Sequence, residues 1–448
     1  MTETNATKDV VISGASLAFF RAGFGLIMLF GLLRFVARGW VQAYYVEPTF
    51  FFSYEGLEWI KPWTHYGLPS WTLYAHIGVL CLCSLAIAVG WHYRSACLLF
   101  FLGFSYLELI DKTPYLNHYY AMSVIAFLMC LLPLDKAYAW PVGFSTPQSL
   151  PRWPLRVLRG QVALIYIFAG LAKLNGDWLW RAEPLRRWLP ALSGQFPMGW
   201  IFNIPATAWA MAWAGMLFDL VIVFFLWHRR SRPWAYGLVV VFHGLTALLF
   251  PIGLFPWLMM FLALLFFEPE WPLQVLKRYF GSFDNTPSSE NVIKSDYSPS
   301  QKGLSLILSV MLTLFFTVQL ILPLRHHLYP GNVLWTEEGF RFAWNVMLIE
   351  KTGWVEFTVK DPVSGRFWVE KGSDLTPFQQ RMMSTQPDMI LQYAHELGKR
   401  HRDQFPQVEV YVESYAALNG RPSQYLIRPD VNLLEHSTTS GIIQPLQS

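Results

Sequence analysis

Lys173 is the first side chain in this sequence with a chemical question attached to it. It closes an uncharged run, 162–171, and is followed within a few residues by Asp177 and Trp178. An amine at the end of an apolar helix has two readings. In one it snorkels, laying its stem along the apolar surface with the charge in water. In the other it is a general base, which requires the neutral amine and therefore a site dry enough to disfavour the ammonium. Asp219 bears on the choice because it sits deep in Met216-Leu217-Phe218-Asp219-Leu220-Val221. A direct pair with Lys173 would favour the ammonium. The expectation is instead that Asp219 bonds backbone or an arginine such as Arg159.

Asn117 and His118 follow Asp111-Lys112-Thr113-Pro114-Tyr115-Leu116 and open the next apolar run. Either they serve a helix start, where N–H groups lack partners, or their amide and imidazole hold an oxyanion beside Lys173. His243 lies within a span, just before the Pro- and Gly-broken segment 250–257. An ionisable group at that depth is either bonded to a helix carbonyl or marks a substrate path. No metal site is expected. His326 and His327 are adjacent and so face different ways on a helix, and no HExxH or CxxC motif, phosphate loop, GxSxG elbow or nicotinamide fingerprint is present.

These groups must be positioned by membrane helices. The chain has 448 residues, 54% hydrophobic and only 14% charged, and a mean hydropathy of +0.31. Soluble proteins carry about 25% charged residues. With 17% aromatic residues including 21 Trp, the composition suits many membrane–water boundaries. Spans of about 20 apolar residues are expected at 15–36, 71–90, 96–110, 119–134, 154–172, 205–227, 234–250, 256–267 and 304–322, about nine transmembrane helices. The segments at 96–110 and 256–267 are short, and the latter could cross only in part.

The loops then carry Arg94, Lys136, Arg152, Arg156, Arg229, Arg230, Arg232, Lys277, Arg278, Lys294 and Lys302 on the N-terminal side, against Arg38, Lys61, Lys112, Arg181, Arg186 and Arg187 on the other. The positive-inside rule places the N-terminus in the cytoplasm and the C-terminal region outside, in a periplasm or lumen. The polar N-terminus lacks the basic start and cleavage site of a signal peptide, so the first apolar run is expected to remain. Cys81, Cys83, Cys97 and Cys130 all fall in apolar segments and read as small buried hydrophobes.

Residues 281–301 are rich in Ser, Asn, Asp and Pro and read as a linker inside a helical domain, 1–323. After Pro323 the period changes. Val355, Phe357 and Val359 alternate with polar residues, Asp361-Pro362-Val363-Ser364-Gly365 turns the chain, and 366–370 resumes it as a hairpin. Residues 376–402 read as helix, Val408, Val410 and Val412 alternate, and Asn419-Gly420 is a turn. The expectation is a mostly β extramembrane domain, 324–448.

At these residues a resemblance enters. Asp111-Lys112-Thr113 with Asn117-His118, Ala169-Gly170-Leu171-Ala172-Lys173-Leu174 with Asp177-Trp178, and Phe242-His243 with Phe250-Pro251-Ile252-Gly253 resemble the vitamin K-dependent γ-glutamyl carboxylase family, and its compact, bacterial-type members in particular. The likeness continues through 339–344, 386–394 and 423–434. It implies an enzyme whose cofactor is vitamin K hydroquinone or a related quinol, with O2 and CO2, acting on a glutamate-containing peptide or protein at the lipid bilayer. In that family a lysine deprotonates the quinol, and reaction with O2 generates the base that removes a glutamate γ-proton before CO2 adds. The match puts the lysine at Lys173, the quinol-oxygen contacts at Asn117 and His118, and His243 along the quinone pocket.

The chain departs from the family's Leu-Tyr-Gly-Tyr-Ser-Trp segment, having Phe340 in Gly339-Phe340-Arg341-Phe342-Ala343-Trp344. The missing hydroxyl keeps open a quinol oxygenase that does not carboxylate glutamate. A non-enzymatic membrane binding protein is the remaining alternative. The net charge of +4 without a basic patch gives no reason to expect a nucleic-acid partner.

Overall fold

The computed structural model describes residues 11–140, 143, 149–280 and 305–447; the segment 281–301, read above as a linker, lies outside them. A short antiparallel pair, β1 (Val11–Ser13) and β2 (Ser149–Pro151), joins two segments far apart in the chain. Helices α1 (Ala15–Ala37), α2 (Trp71–Val89), α3 (Tyr93–Ile110) and α4 (Asn117–Leu131) pack in succession. A second group is α5 (Trp153–Ala172), the short α6 (Gly176–Arg181) and α7 (Leu185–Ala191), α8 (Pro205–Trp227), α9 (Arg232–Leu249) and α10 (Phe255–Ala263). Within it, α5 packs along α8, and α9 lies against both α8 and α10.

The long helices among these carry apolar residues on exposed as well as buried faces, as a lipid-embedded helix does. On α8, Leu217, Val221, Phe224 and Phe225 are exposed while Phe218, Ile222 and Val223 are buried. The α5–α8 contact depends on Gly170. A Cβ there would stand 2.8 Å from Leu220 Cγ and 2.9 Å from its backbone nitrogen. The absent side chain lets the two helices close at the level of Lys173.

Among the described residues, six helices are long and apolar enough to cross a membrane, or seven if α10, its 3-10 tail and α11 (Trp271–Phe280), bent by 99°, count as one. The expected nine are not reached on length and composition alone. Helix α4 has only 15 residues, α9 starts on Arg232, and α10 has 9. The prolines around α10 set its length: Pro251 precedes it and Pro256 opens it, where a missing N–H does no harm. The last membrane helix, α12 (Leu306–Ile321), is peripheral and buries only Leu312 and Gln319.

The C-terminal region is built on a four-stranded antiparallel sheet in the order β4-β3-β5-β6: β3 (Lys351–Lys360), β4 (Phe367–Glu370), β5 (Glu409–Leu418) and β6 (Gln424–Tyr425). Period-2 alternation sends Val355, Phe357 and Val359 inward beside Val410 and Val412 of β5. The helix expected over 376–402 is two, α13 (Pro377–Met383) and α14 (Pro387–Arg402). Pro387 cannot continue a helix begun before it, and Thr376 with Gln379 forms a capping box on the first.

The inner face of this sheet does not form an isolated core. Leu185 and Leu189 of α7 and Ala208, Ala212 and Met216 of α8 belong to the same buried cluster as Phe357, Met389, Tyr393 and Val412. The sheet region therefore sits on the ends of α6–α8 as one packed body.

Candidate active site

Lys173 is the C-cap of α5 and is buried, 5% exposed. Its Nζ donates to Asp219 Oδ2 at 2.8 Å and to Ala169 O at 3.2 Å, and lies 5.3 Å from the Trp178 ring centre. The expectation for Asp219 is therefore corrected. It pairs with Lys173, whereas Arg159 donates to Leu265 O at 2.8 Å and Phe267 O at 3.0 Å, at the end of the turn after α10. Gly170 explains the outcome, since the close α5–α8 approach brings the two side chains together.

Both members of the pair line a cavity of about 200 Å³. Its walls are rings and aliphatic chains: Tyr166 and Ile165 of α5, Trp178, Met211 and Gly215 of α8, Phe242 and Leu249 of α9, Phe250, Phe255 and Met259. His243 of α9 lines it too. Tyr166 Oη lies 2.9 Å from His243 Nε2, and His243 Nδ1 is buried without a hydrogen-bond partner. An orphan of this kind in an apolar wall is unusual and calls for an explanation.

The cavity also receives Val346 and Met347 from the C-terminal region. They arrive on segment 339–347, in which Phe342, Trp344 and Met347 have φ of +61°, +57° and +59°. Left-handed backbone at non-glycine residues costs about 1–3 kcal/mol each and persists only where the surroundings enforce it. Here they do. Phe342 N donates to Tyr115 Oη at 2.7 Å, Asn117 Nδ2 donates to Asn345 O at 2.8 Å, and Tyr115 Oη donates to Asn117 Oδ1 at 2.9 Å. The Trp344 ring lies 4.8 Å from Tyr120.

Lys173 and His243 are thus brought to one cavity. Asn117 and His118 are not among the residues lining it. The amide of Asn117 is committed to the 339–347 segment, and the helix cap is Leu116. His118 is buried behind Phe255, whose ring centre is 6.3 Å from His118 and 6.3 Å from His243. Residue chemistry alone did not single out Tyr166, although it lies seven residues before Lys173, two helical turns along the same face.

Ion pairs lock the C-terminal region over this site. Asp388 Oδ2 accepts from Lys112 Nζ at 2.7 Å and Arg341 Nη1 at 2.9 Å, and Arg341 also reaches Gln386. Desolvation pushes the Asp388 carboxyl up, but Arg341 and then Lys112 outweigh it and hold it well below the usual range. The partners are not shifted symmetrically. Burial lowers the Lys112 amine more than Asp388 restores it, and Arg341 adds a like charge. On the other side, Asp177 takes both nitrogens of the Arg421 fork, at 2.7 and 2.8 Å, and Asn419 Nδ2 at 3.1 Å. Burial raises the Asp177 carboxyl, and Arg421 and Asn419 more than reverse this.

Residues 11–271 match the HTTM domain family, and residues 304–442 match the family of the vitamin K-dependent gamma-carboxylase lumenal domain. No solved structure matches the chain.

Proposed function

The chain belongs to the vitamin K-dependent γ-glutamyl carboxylase family, and from that premise we propose that it oxidises a membrane quinol with O2 and couples this to carboxylation of a peptide glutamate, with Lys173 as the base. The observation that carries the reading is the Lys173–Asp219 pair set into an apolar, ring-walled cavity. The residues present fit a quinol. Flat apolar walls suit its rings, and the proton-accepting pair and the unpartnered His243 Nδ1 suit its oxygens. When bound, the quinol supplies through O2 the strong base that no side chain can provide.

The chain's own part is to move one proton and keep water out. A lone ammonium cannot accept a proton, but the Lys173–Asp219 pair can, because together they hold one proton fewer than their full complement. Accepting it leaves an ammonium at Nζ beside a neutral carboxylic acid. That is a single positive charge facing the oxygen that lost the proton, in a site where Coulomb terms are strong. Val346 and Met347 close the cavity from the C-terminal side. Asn117 serves by pinning their segment, and His118 by backing Phe255.

The reading includes the expected topology. The N-terminus is cytoplasmic, α4, α9 and α10 count with the longer helices toward nine spans, and 324–448 is a domain on the periplasmic or lumenal side, where the peptide arrives. Ala214 and Leu245, on the cavity wall, are exposed on the outer flank of α8 and α9, the side from which a lipid-soluble quinol enters.

The test uses the protein in nanodiscs with vitamin K hydroquinone, O2, labelled bicarbonate and a glutamate-containing peptide. Epoxide and peptide-bound label are expected together, and both are expected to vanish in Lys173→Ala. Epoxide without label would favour the oxygenase reading, which one feature supports: Phe340 packs into the sheet-side core with no hydroxyl to offer. No epoxide with any quinol would leave a binding protein.

A further inference from the structure

Tyr166 and His243 form a hydrogen-bonded pair that the proposed reaction does not yet use. Both are buried, at 1% and 3% exposure, on helices α5 and α9. Phe218 holds the two rings in place, its centre 5.9 Å from each, and stacks on Phe242 at 3.9 Å. Tyr166 Oη makes no other hydrogen bond among the described residues than the one at 2.9 Å to Nε2. The other ring nitrogen, Nδ1, has no partner, and the residue lines the cavity.

Two arrangements of the protons are open to this pair. If the imidazole donates from Nε2, the phenol oxygen accepts, its own proton has no acceptor in the apolar wall, and Nδ1 is left as a bare lone pair. If the phenol donates to Nε2, its proton is satisfied and the ring proton sits on Nδ1. The first arrangement leaves two polar groups unsatisfied and the second leaves one, so burial selects the second. The partner of one imidazole nitrogen decides the state of the other.

We propose that Tyr166 fixes His243 as the Nδ1–H tautomer, so that His243 donates a hydrogen bond to an oxygen of the bound quinol. Tyr166 is a positioning residue, acting only through the imidazole. The choice of ligand rests on the quinol reading above; the tautomer does not. The pair gives the cavity a fixed donor separate from the proton-accepting Lys173–Asp219 pair, and a ligand with two oxygens can be held by one and deprotonated by the other.

The test begins with the full chain in nanodiscs, 15N-labelled at histidine, the His243 signals being assigned by their loss in His243→Asn. In the unmutated protein Nδ1 is expected to be protonated and Nε2 bare, with a mixture of tautomers in Tyr166→Phe. Protonated Nε2 in the unmutated protein would overturn the proposal. Addition of vitamin K hydroquinone under argon is expected to shift the Nδ1 signal. If the tautomer is as stated but no quinol moves the signal, the quinol reading falls and the tautomer assignment stands. In quinol oxidation, Tyr166→Phe is expected to lower kcat/KM about tenfold with His243 present, and less than about twofold in the His243→Asn background, the scale of one hydrogen bond. Equal losses in both backgrounds would show that Tyr166 serves only packing, and would overturn it.

Discussion

Two regions among the described residues set a carboxylate against a cation in different ways, and they differ in how completely the carboxylate is bonded. Where the C-terminal region meets the membrane helices, Asp177 accepts on both oxygens from Arg421 and again from Asn419, and Asp388 accepts on both oxygens from Arg341 with Lys112 added. In the cavity, Asp219 accepts on Oδ2 alone among the described residues, and the histidine beside it keeps a free nitrogen. A carboxylate surrounded by donors is locked in its charged form and can only hold things together. A pair with capacity left can take a proton or a ligand atom. Substitutions at the first kind should cost stability, and at the second kind rate.

The largest effect is expected at Lys173. Lys173→Ala should lower quinol oxidation by about 10²–10⁴-fold, the usual contribution of a general base. It also leaves Asp219 buried without its partner, so loss of fold must be separated from loss of chemistry. The double variant Lys173→Met/Asp219→Leu replaces the pair by apolar groups, which buried pairs tolerate well. It should run as a monodisperse species on size exclusion in detergent and still produce no epoxide. Restored epoxide in that variant would break the comparison outright.

The next effect lies at the interface. Arg421→Met leaves Asp177 buried with only Asn419 and the more distant Arg181, at 3.8 Å, and should cost about 3–5 kcal/mol. A lower thermal midpoint with turnover per folded molecule little changed is the expected result. A large drop in turnover with an unchanged midpoint would mean that this interface takes part in the chemistry.

Much of this was legible in the sequence, and the reason it stops where it does is physical. Hydropathy reports how long a segment can stay in lipid, so α8 was expected over the very residues it occupies, 205–227, and α1, α2 and α5 nearly so. Alternation gave β3 and β5, because a strand half-buried against helices must alternate, and the turn at 361–365 gave β4 as the other arm of a hairpin. Lys173 and His243, which the family likeness singles out, both line one cavity. What hydropathy does not carry is rotation about the helix axis. Asp219 lies 46 residues from Lys173, on another helix, and only the close approach at Gly170 shows that the two meet. Nor does hydropathy show that the Asn117 amide donates to a segment 228 residues away.

A smaller effect follows from charge at the interface. Asp388 and Asp177 are both held below the ordinary carboxylate range. Their contribution is complete above the unfolded value near pH 4 and is lost as pH falls through the lowered folded values. Acidification below about pH 4 should therefore release the C-terminal region from the helices. Hydrogen exchange of segment 339–347 should rise there first. Exchange that is flat to pH 2 would show that apolar contact, not these carboxylates, holds the interface.

The smallest effect tests whether an unpartnered polar atom is enough to mark a site. Gln161 Oε1 is buried without a partner, like His243 Nδ1, and lies on α5 as well, about a third of a turn off the Lys173 face. It does not line the cavity. Its Nε2 donates to Gln319 Oε1 of α12 at 3.3 Å, and Gln319 Nε2 donates to Tyr120 Oη at 2.7 Å. This is a contact between membrane helices, and such polar contacts are worth about 0.6 kcal/mol on average. Gln319→Leu should lower the thermal midpoint by no more than that corresponds to, and so should Gln161→Leu, which removes one orphan but takes the donor from Gln319 Oε1. Quinol oxidation should be unchanged in both. If Gln161→Leu instead abolished oxidation, an orphaned atom would matter without a cavity beside it. The difference between the interface and the cavity would then have to be drawn along the length of α5 and not at the wall of one pocket.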